Sequence, residues 1–190
     1  MRIIGGQWRG TALASVGKGD AGAHLRPTTD RVRESIFNLL LNGSHGDALT
    51  GARVLDLFAG TGALGLEALS RGAAHTTFVD DGTKARALIR QNVEKCRAQG
   101  VTKLSRRDAA RLGERQGPPF DLVFLDPPYG KTLGERALTA ALAGGWIADG
   151  AMIVWEENAP PALPAGLALL DQRRYGDTIV TLARHDPHET

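Results

Sequence analysis

A glycine-rich turn between an apolar strand and a helix constrains the fold of this chain more than any other feature. The apolar run at residues 54–58 has the length and composition of a buried strand. It leads into Ala59-Gly60-Thr61-Gly62-Ala63-Leu64-Gly65, and helical spacing follows over residues 66–71. A strand, a glycine turn and a helix in this order are typical of the first βα unit of an open α/β sheet that binds a nucleotide-like ligand.

Two kinds of cofactor fit this turn. Gly60, Gly62 and Gly65 match the pattern Gly-x-Gly-x-x-Gly of dinucleotide-binding proteins, and Asp80 follows about 20 residues later, where a ribose-binding acid is expected. However, Asp56 lies four positions before the first glycine. A carboxylate there repels a pyrophosphate but suits the ammonium and sulfonium groups of S-adenosylmethionine, whose carboxylate can bind backbone amides. We therefore favour S-adenosylmethionine over a nicotinamide or flavin nucleotide.

Alternating strands and helices continue to the end of the chain. Strands are predicted at residues 75–80, 101–107, 120–125, 151–156, 167–174 and 178–184, and helices at residues 83–99 and 133–146. Gly100 is the expected C-terminal glycine of the first of these helices, and Tyr175-Gly176-Asp177 is typical of a hairpin turn. The pattern predicts an α/β, Rossmann-like fold with a mostly parallel seven-stranded sheet and a C-terminal antiparallel hairpin.

Four aspartates lie at or near the ends of predicted strands: Asp56, Asp80, Asp108 and Asp126. The carboxyl ends of strands are where open α/β sheets bind ligands. Asp80 is expected to accept both ribose hydroxyls of the cofactor, and Asp108 to accept from its adenine amine. Asp108 is also a candidate helix N-cap, because Ala109-Ala110-Arg111-Leu112 follows it. Capping alone does not readily explain four acids at successive strand ends.

The segment Asp126-Pro127-Pro128-Tyr129 indicates methylation of a ring amine. An exocyclic amine on a nucleobase is a poor nucleophile because its lone pair is delocalised into the ring. The Asp126 carboxylate and the Pro127 carbonyl can accept its two N–H groups and turn the lone pair out of the plane, while the prolines fix the backbone. Tyr129 offers an aromatic face for the base. Alternatively, the prolines only end a strand and Tyr129 packs on the surface.

Composition excludes several other classes of protein. The 190 residues, 42% hydrophobic and 23% charged, are typical of one soluble globular domain. The apolar runs are far shorter than the ~20 residues that span a membrane, and the sequence from Met1 onward has no cleavable signal pattern, which favours a cytoplasmic location. A single cysteine, Cys96, excludes an internal disulfide, and the five histidines have no metal-ligand spacing. We expect no metal.

The N-terminal quarter carries a local positive charge. Residues 1–46 contain six basic and three acidic side chains, against 17 and 18 in the rest of the chain. Trp8 and Arg9 combine an aromatic ring with a cation, a mix that stacks bases and contacts phosphates. We expect residues 1–25 to form an RNA-contacting arm or hairpin and residues 26–190 the main domain. A charge excess of this size is also common on solvated surfaces.

Residues 26–34 begin a further helix, for which Thr28 or Thr29 is the expected N-cap. Arg26 lies just before its N-terminus and Arg31 in its first turn, so both can face an anionic substrate together with the helix N–H groups. Arginines exposed to solvent on a capped helix explain the same spacing equally well.

Nearly the whole chain resembles one known family, the bacterial RsmD-type methyltransferases. The glycine turn and the Asp-Pro-Pro-Tyr segment occur in many methyltransferases, whereas the two N-terminal segments are far more specific. Asp80 departs from the family, which commonly has glutamate there. Residues 13–25 are variable in the family, so the resemblance implies nothing about their role. The matching segments are Ile4-Gly5-Gly6-Gln7-Trp8-Arg9-Gly10, Arg26-Pro27-Thr28-Thr29-Asp30-Arg31-Val32-Arg33-Glu34, Asp56-Leu57-Phe58-Ala59-Gly60-Thr61-Gly62, Phe78-Val79-Asp80, Asp126-Pro127-Pro128-Tyr129 and Tyr175-Gly176-Asp177-Thr178.

The resemblance implies transfer of a methyl group from S-adenosylmethionine to the N2 amine of one guanine in 16S ribosomal RNA of the small subunit. The expected acceptor site is Asp126, Pro127 and Tyr129. Cofactor contacts are expected from Asp56, Phe58, Gly60, Gly62, Asp80 and Asp108, and RNA contacts from Arg2, Trp8, Arg9, Arg26, Thr28 and Arg31. Two alternatives stay open: an amino methyltransferase acting on DNA or on protein glutamine, and a non-catalytic RNA-binding assembly factor. We expect a monomer.

Overall fold

The computed structural model describes residues 1–16 and 28–188, which contain a seven-stranded sheet. Its strands are β1 (Arg53–Leu57), β2 (His75–Val79), β3 (Thr102–Ser105), β4 (Phe120–Leu125), β5 (Ile147–Glu157), β6 (Leu167–Tyr175) and β7 (Thr178–His185). The order across the sheet is β3-β2-β1-β4-β5-β7-β6. The first five strands are parallel, and β7 runs antiparallel to both β5 and β6. The predicted fold class is confirmed.

Four α-helices of the described residues cover the two faces of the sheet. They are α1 (Asp30–Asn42), α2 (Ala63–Ser70), α3 (Thr83–Lys95) and α4 (Leu133–Ala143). Successive residues of a strand point to opposite faces, so Leu122 and Phe124 pack with α1 and α2, whereas Val123 and Leu125 pack with α4. The central strands are therefore buried on both sides, and their carboxyl ends meet at a single edge.

The end of α3 differs from the sequence prediction. The helix stops at Lys95 instead of continuing to residue 99, because Arg97 adopts a left-handed conformation with φ 52°. Gly100 is consequently not the C-terminal glycine of this helix and lies in a short 3-10 turn, Gln99–Val101. Helical periodicity continues past Lys95 in the sequence, so the apolar pattern alone did not reveal this boundary.

Other boundaries shift by a few residues. Helix α4 ends at Ala143, before Gly144 and Gly145. Strand β3 is shorter than the predicted residues 101–107, and β5 starts at Ile147 instead of residue 151. The extension of β5 follows from pairing, because Ile147 lies opposite Phe120 before the register shifts.

The N-terminal residues form a small hairpin that packs against α2 and α3. Its backbone hydrogen bonds include Ile3 N–H to Thr11 O at 3.0 Å and Gly10 N–H to Ile3 O at 2.8 Å. Ile3 and Leu13 are buried in an apolar cluster with residues of α2 and α3. The predicted boundary at residue 25 lies outside the described residues, yet residues 1–13 already share the core of the main domain.

A buried carboxylate on α2 fixes this hairpin. Glu67 accepts hydrogen bonds from Ile4 N–H at 2.9 Å and from Gly5 N–H at 3.2 Å. The fully buried Arg33 lies 3.6 Å from it, and Arg71 lies 3.4 Å away. One acid therefore connects the hairpin, α1 and α2.

Within residues 1–16 and 28–188, every helix is too short or too polar to span a lipid bilayer.

Candidate active site

A cavity of about 1080 Å³ opens where the parallel strands end. Its lining combines the glycine turn after β1 with the first residues after β2 and β4. Among the predicted site residues it includes Asp56, Phe58, Gly60, Asp80, Asp126, Pro127 and Tyr129. The structure thus brings four of the six expected cofactor contacts and the expected acceptor segment to one cavity, because carboxyl ends of adjacent parallel strands share an edge.

The glycine turn has the backbone geometry that only glycine adopts easily. Gly60 and Gly62 have φ values of 60° and 80°, and Gly62 is the N-cap of α2, although it does not itself line the cavity. A Cβ added at Gly65 would lie 2.5 Å from the Phe78 ring, so α2 can approach β2 this closely only with glycine there. Phe58 precedes the turn, half-buried against the core and with φ 56°.

Two aspartates bind the backbone of this turn. Asp56 is 2% exposed, and its Oδ2 accepts from Gly65 N–H at 3.0 Å. Burial raises the pKa of Asp56 well above its ordinary value, and the Gly65 hydrogen bond opposes that rise. Asp80 accepts from Gly60 N–H at 3.0 Å and from Gly82 N–H at 2.8 Å, and burial raises its pKa as well. A cationic ligand in the cavity would relieve the cost of ionising both groups.

Asp108 does not join this group. Its side chain is exposed, lies outside the lining of the cavity and accepts from Ala110 N–H at 2.9 Å, as an N-cap does. The chain has already left the sheet when it reaches Asp108, since β3 ends at Ser105. The capping interpretation agrees with the structure, and the contact with an adenine amine stays a prediction.

The acceptor segment follows β4 directly. Burial and the neighbouring carboxylates of Glu156, Asp56 and Glu157 raise the pKa of Asp126 well above its ordinary value. The Tyr129 hydroxyl lies 3.2 Å from the Thr178 hydroxyl on β7. Tyr129 is therefore connected to the C-terminal hairpin.

Glu156 is a site residue that sequence reasoning missed. Trp155 pairs with Leu125, so Glu156 on β5 and Asp126 after β4 are next in register. Glu156 is 3% exposed, and its carboxylate accepts from the Thr28 hydroxyl at 3.0 Å. Burial raises the pKa of Glu156 to about 7, opposed by the Thr28 hydrogen bond and the Arg33 charge. The signal was present, because Glu156 follows an apolar run as Asp126 does.

Arg33 is a second residue that sequence reasoning missed. It is fully buried, lines the cavity and donates from Nη2 to Asp30 Oδ1 at 2.6 Å. Nothing in the local pattern distinguishes it from the exposed arginine two positions earlier. Its burial comes from the packing of α1 against α2.

Comparison with known sequences decides the family. The sequence model of the family described as Conserved hypothetical protein 95 matches residues 1–184. The chain belongs to this family. Ribosomal RNA small subunit methyltransferase D of Escherichia coli strain K12 is 37% identical over 189 residues, which cover 98% of this chain and 90% of that protein. The protein of the same name from Haemophilus influenzae is 36% identical, and the aligned residues cover 93% of this chain and 89% of that protein.

Solved structures agree with this membership. The Escherichia coli structure described as "Putative methyltransferase yhhF" has a TM-score of 0.82 at 37% identity, with 98% of both chains covered. The Thermus thermophilus structure described as hypothetical protein TTHA0928 has a TM-score of 0.70 at 30% identity, covering 96% of this chain and 98% of that one. The resemblance to RsmD-type methyltransferases is confirmed, and this family member is an enzyme of the methyltransferase class.

The predicted RNA contacts of this family member have different environments. Arg2, Arg9 and Arg31 are exposed, and Arg2 lies 3.9 Å from Asp30. Trp8 is half-buried and packs against the apolar cluster beneath the hairpin, so part of its side chain is not available to a base. Thr29, not Thr28, caps α1, and Thr28 donates to Glu156 instead. Arg26 lies outside the described residues.

In the part of the family fold that the structure describes, no group of three or more histidine, cysteine, aspartate or glutamate side chains is arranged to hold a metal ion. Cys96 is a buried free thiol.

Proposed function

We propose that this protein transfers a methyl group from S-adenosylmethionine to the exocyclic N2 amine of a guanine in 16S ribosomal RNA. The observation that carries the proposal is the position of Asp126-Pro127-Pro128-Tyr129 on the same cavity as the glycine turn. The names of the similar proteins support the RNA of the small ribosomal subunit as the substrate.

The residues at the cavity fit S-adenosylmethionine. Asp56 is a buried carboxyl group whose ionisation a sulfonium or ammonium group would favour, which a pyrophosphate would not do. Each Asp80 oxygen accepts one backbone N–H and has lone-pair capacity left for a ribose hydroxyl. Gly60 keeps the turn free of side-chain bulk, and Phe58 contributes an aromatic ring to the lining. Bound there, S-adenosylmethionine supplies the activated methyl group. We also propose the contacts from Gly62 and Asp108, although neither lines the cavity.

Asp126, Pro127 and Tyr129 orient the amine. The Asp126 carboxylate and the Pro127 carbonyl accept its two N–H groups, which leaves the nitrogen lone pair directed at the methyl group. Tyr129 stacks on the base, and its bond to Thr178 holds the ring in place. The nitrogen that has received the methyl group loses a proton readily, to water or to the Asp126 carboxylate, so no strong base is required. No covalent intermediate with the protein is required.

The target guanine must leave its stacked position in the RNA to reach this site. We propose that Arg2, Arg9, Arg26 and Arg31 contact phosphates around it. Trp8 contributes through the exposed part of its ring, and Thr28 through its position beside Tyr129 on the cavity lining.

Methyl transfer from labelled S-adenosylmethionine to unmodified small subunits and, in parallel, to naked 16S RNA tests the proposal. Digestion to nucleosides and mass analysis should give N2-methylguanosine with at least one substrate, and the ratio between the two reports whether ribosomal proteins form part of the recognised surface. Measurable cofactor binding without methylguanosine from either would contradict the substrate, and DNA and protein glutamine would then be tested. No cofactor binding at all would indicate a non-catalytic factor.

A further inference from the structure

A second cavity adjoins the first and is not explained by cofactor binding. It has a volume of about 380 Å³ and lies between the start of α1 and the turn that joins β6 to β7. Thr28 and Tyr129 line both cavities. A base that stacks on Tyr129 can therefore occupy the second cavity while its amine reaches the first.

One wall of the second cavity is an acid with spare acceptor capacity. Glu156 lines it and is almost completely buried. A carboxylate offers about four lone-pair positions, and the Thr28 hydroxyl, at 3.0 and 3.1 Å from the two oxygens, supplies a single proton. A buried carboxylate of this kind favours a ligand that brings further N–H donors.

The mouth of the same cavity carries the opposite charge. Arg31 and Arg174 line it and are exposed, with Asp177 beside them in the β6–β7 turn. An acceptor inside and two cations outside match a nucleotide whose base points inward and whose phosphates stay near solvent.

The register of the sheet places two acceptors side by side, which complements the hydrogen-bond donors of guanine and not those of adenine. Asp126 and Glu156 follow the paired residues Leu125 and Trp155, so their carboxylates are neighbouring acceptors. Guanine carries neighbouring donors, the N2 amine and N1–H, on its Watson–Crick edge. Adenine has an acceptor at N1, which a carboxylate would repel.

We propose that the second cavity receives the target guanine and that Glu156 selects this base by accepting its N1–H while the N2 amine reaches Asp126. The inference rests on the proposed function and adds the residue that distinguishes guanine from other purines that carry a 2-amine. Tyr129 supplies the shared stacking surface, and Arg31 and Arg174 hold the flanking phosphates.

Replacing the target guanine by 2,6-diaminopurine tests this selection. That base keeps the 2-amine but has an acceptor at N1. In whichever form of the RNA the wild-type protein methylates, kcat/KM should be higher for guanine than for diaminopurine by roughly tenfold to a hundredfold. In Glu156→Gln the amide can donate to N1 of diaminopurine, so we expect kcat/KM for guanine to fall and the preference to shrink to about threefold or less, with cofactor affinity unchanged.

Glu157→Gln is the matched control. Glu157 is the next residue of β5 and is also buried, but it lines neither cavity. It should keep the wild-type preference for guanine.

The outcomes separate the two proposals. A wild-type protein that forms no N2-methylguanosine overturns the proposed function itself. A wild-type protein that methylates guanine and diaminopurine equally well overturns the role of Glu156 and needs no variant to fold. A full guanine preference retained by Glu156→Gln overturns that role too.

Discussion

At the scale of single residues, the electrostatics of the site depend most on two carboxyl groups at the ends of adjacent parallel strands. Burial is the largest cause of the raised pKa of both Asp126 and Glu156. Burial therefore favours the protonated form of each group more in the folded protein than in the unfolded chain. N–H donors on a bound base would offset the cost of ionising these buried carboxyl groups, so the site favours a ligand rich in N–H groups.

This protonation predicts how stability depends on pH. The pKa of Glu156 is about 7 in the folded protein, against an ordinary value of 4.5, so the native state binds more protons than the unfolded chain between those values. The free energy of unfolding therefore falls as pH rises through that window and levels off above it. Glu156→Gln removes this contribution, and its Tm relative to wild type should rise by on the order of 5 °C between pH 5 and pH 8.

Thermal unfolding across that pH range measures the effect. Glu94→Gln, which changes an exposed glutamate on α3, serves as the control and should follow the wild-type curve. Parallel curves for Glu156→Gln and wild type would mean that Glu156 is already ionised in the fold at pH 5.

At the scale of elements, the unit from β1 through the glycine turn to α2 places three of the proposed cofactor contacts, Asp56, Phe58 and Gly60, at the cavity. Asp56 at the end of β1 accepts from Gly65 in the first turn of α2, so strand and helix are joined by a bond that also positions an acid at the cavity. The absence of a side chain at Gly65 lets α2 rest on Phe78 and Thr76 of β2.

Gly65→Ala should therefore destabilise the fold although alanine is the better helix former. The added Cβ would lie 2.5 Å from the Phe78 ring and 2.7 Å from Thr76 Cγ2, and overpacking of this kind costs about 1–3 kcal/mol. Urea unfolding measures the loss. Gly100→Ala, where a Cβ meets nothing within 4 Å, is the control and should change little. Equal midpoints for the two variants would contradict the close approach of α2 to β2.

Sequence patterns were sufficient to predict this βα unit but not every residue of the site. Asp56, Asp80 and Asp126 were predictable together because each lies at or near the end of a predicted strand, and parallel strands end at one edge. The capping role of Asp108 depended on where β3 actually ends. The burial of Glu156 and Arg33 is set by contacts between distant segments, such as Thr28 with Glu156, which no local period encodes. The end of α3 at Lys95 likewise depends on a single left-handed residue, Arg97.

At the scale of the whole molecule, exposed arginines from separate segments surround the site. The N-terminal hairpin lies next to the start of α1, where Arg2 is 3.9 Å from Asp30. Arg31 and Arg174 line the second cavity from α1 and β6. The net charge of the whole chain is only +2, so these arginines represent a local concentration of positive charge near the cavities.

The combined change of Arg9→Ala and Arg31→Ala should weaken RNA binding and leave cofactor binding unchanged. Each lost phosphate contact reduces the dependence of log K on log salt, so the slope should decrease by about 1.5–2 in total. RNA titrations at several salt concentrations measure it. The control pair, Arg90→Ala with Arg111→Ala, removes two exposed arginines that line neither cavity. Equal losses for both pairs would show that only overall charge matters.

The central claim is that the acceptor segment after β4 orients an amine next to a bound methyl donor. The most direct test measures methyl transfer and S-adenosylmethionine affinity for Asp126→Ala beside the wild-type protein, with Asp149→Ala, whose side chain is 81% exposed, as the control. We expect turnover to fall about 100-fold or more, because the amine loses one of its two acceptors, while cofactor affinity stays near that of wild type. Full turnover by Asp126→Ala would contradict the account.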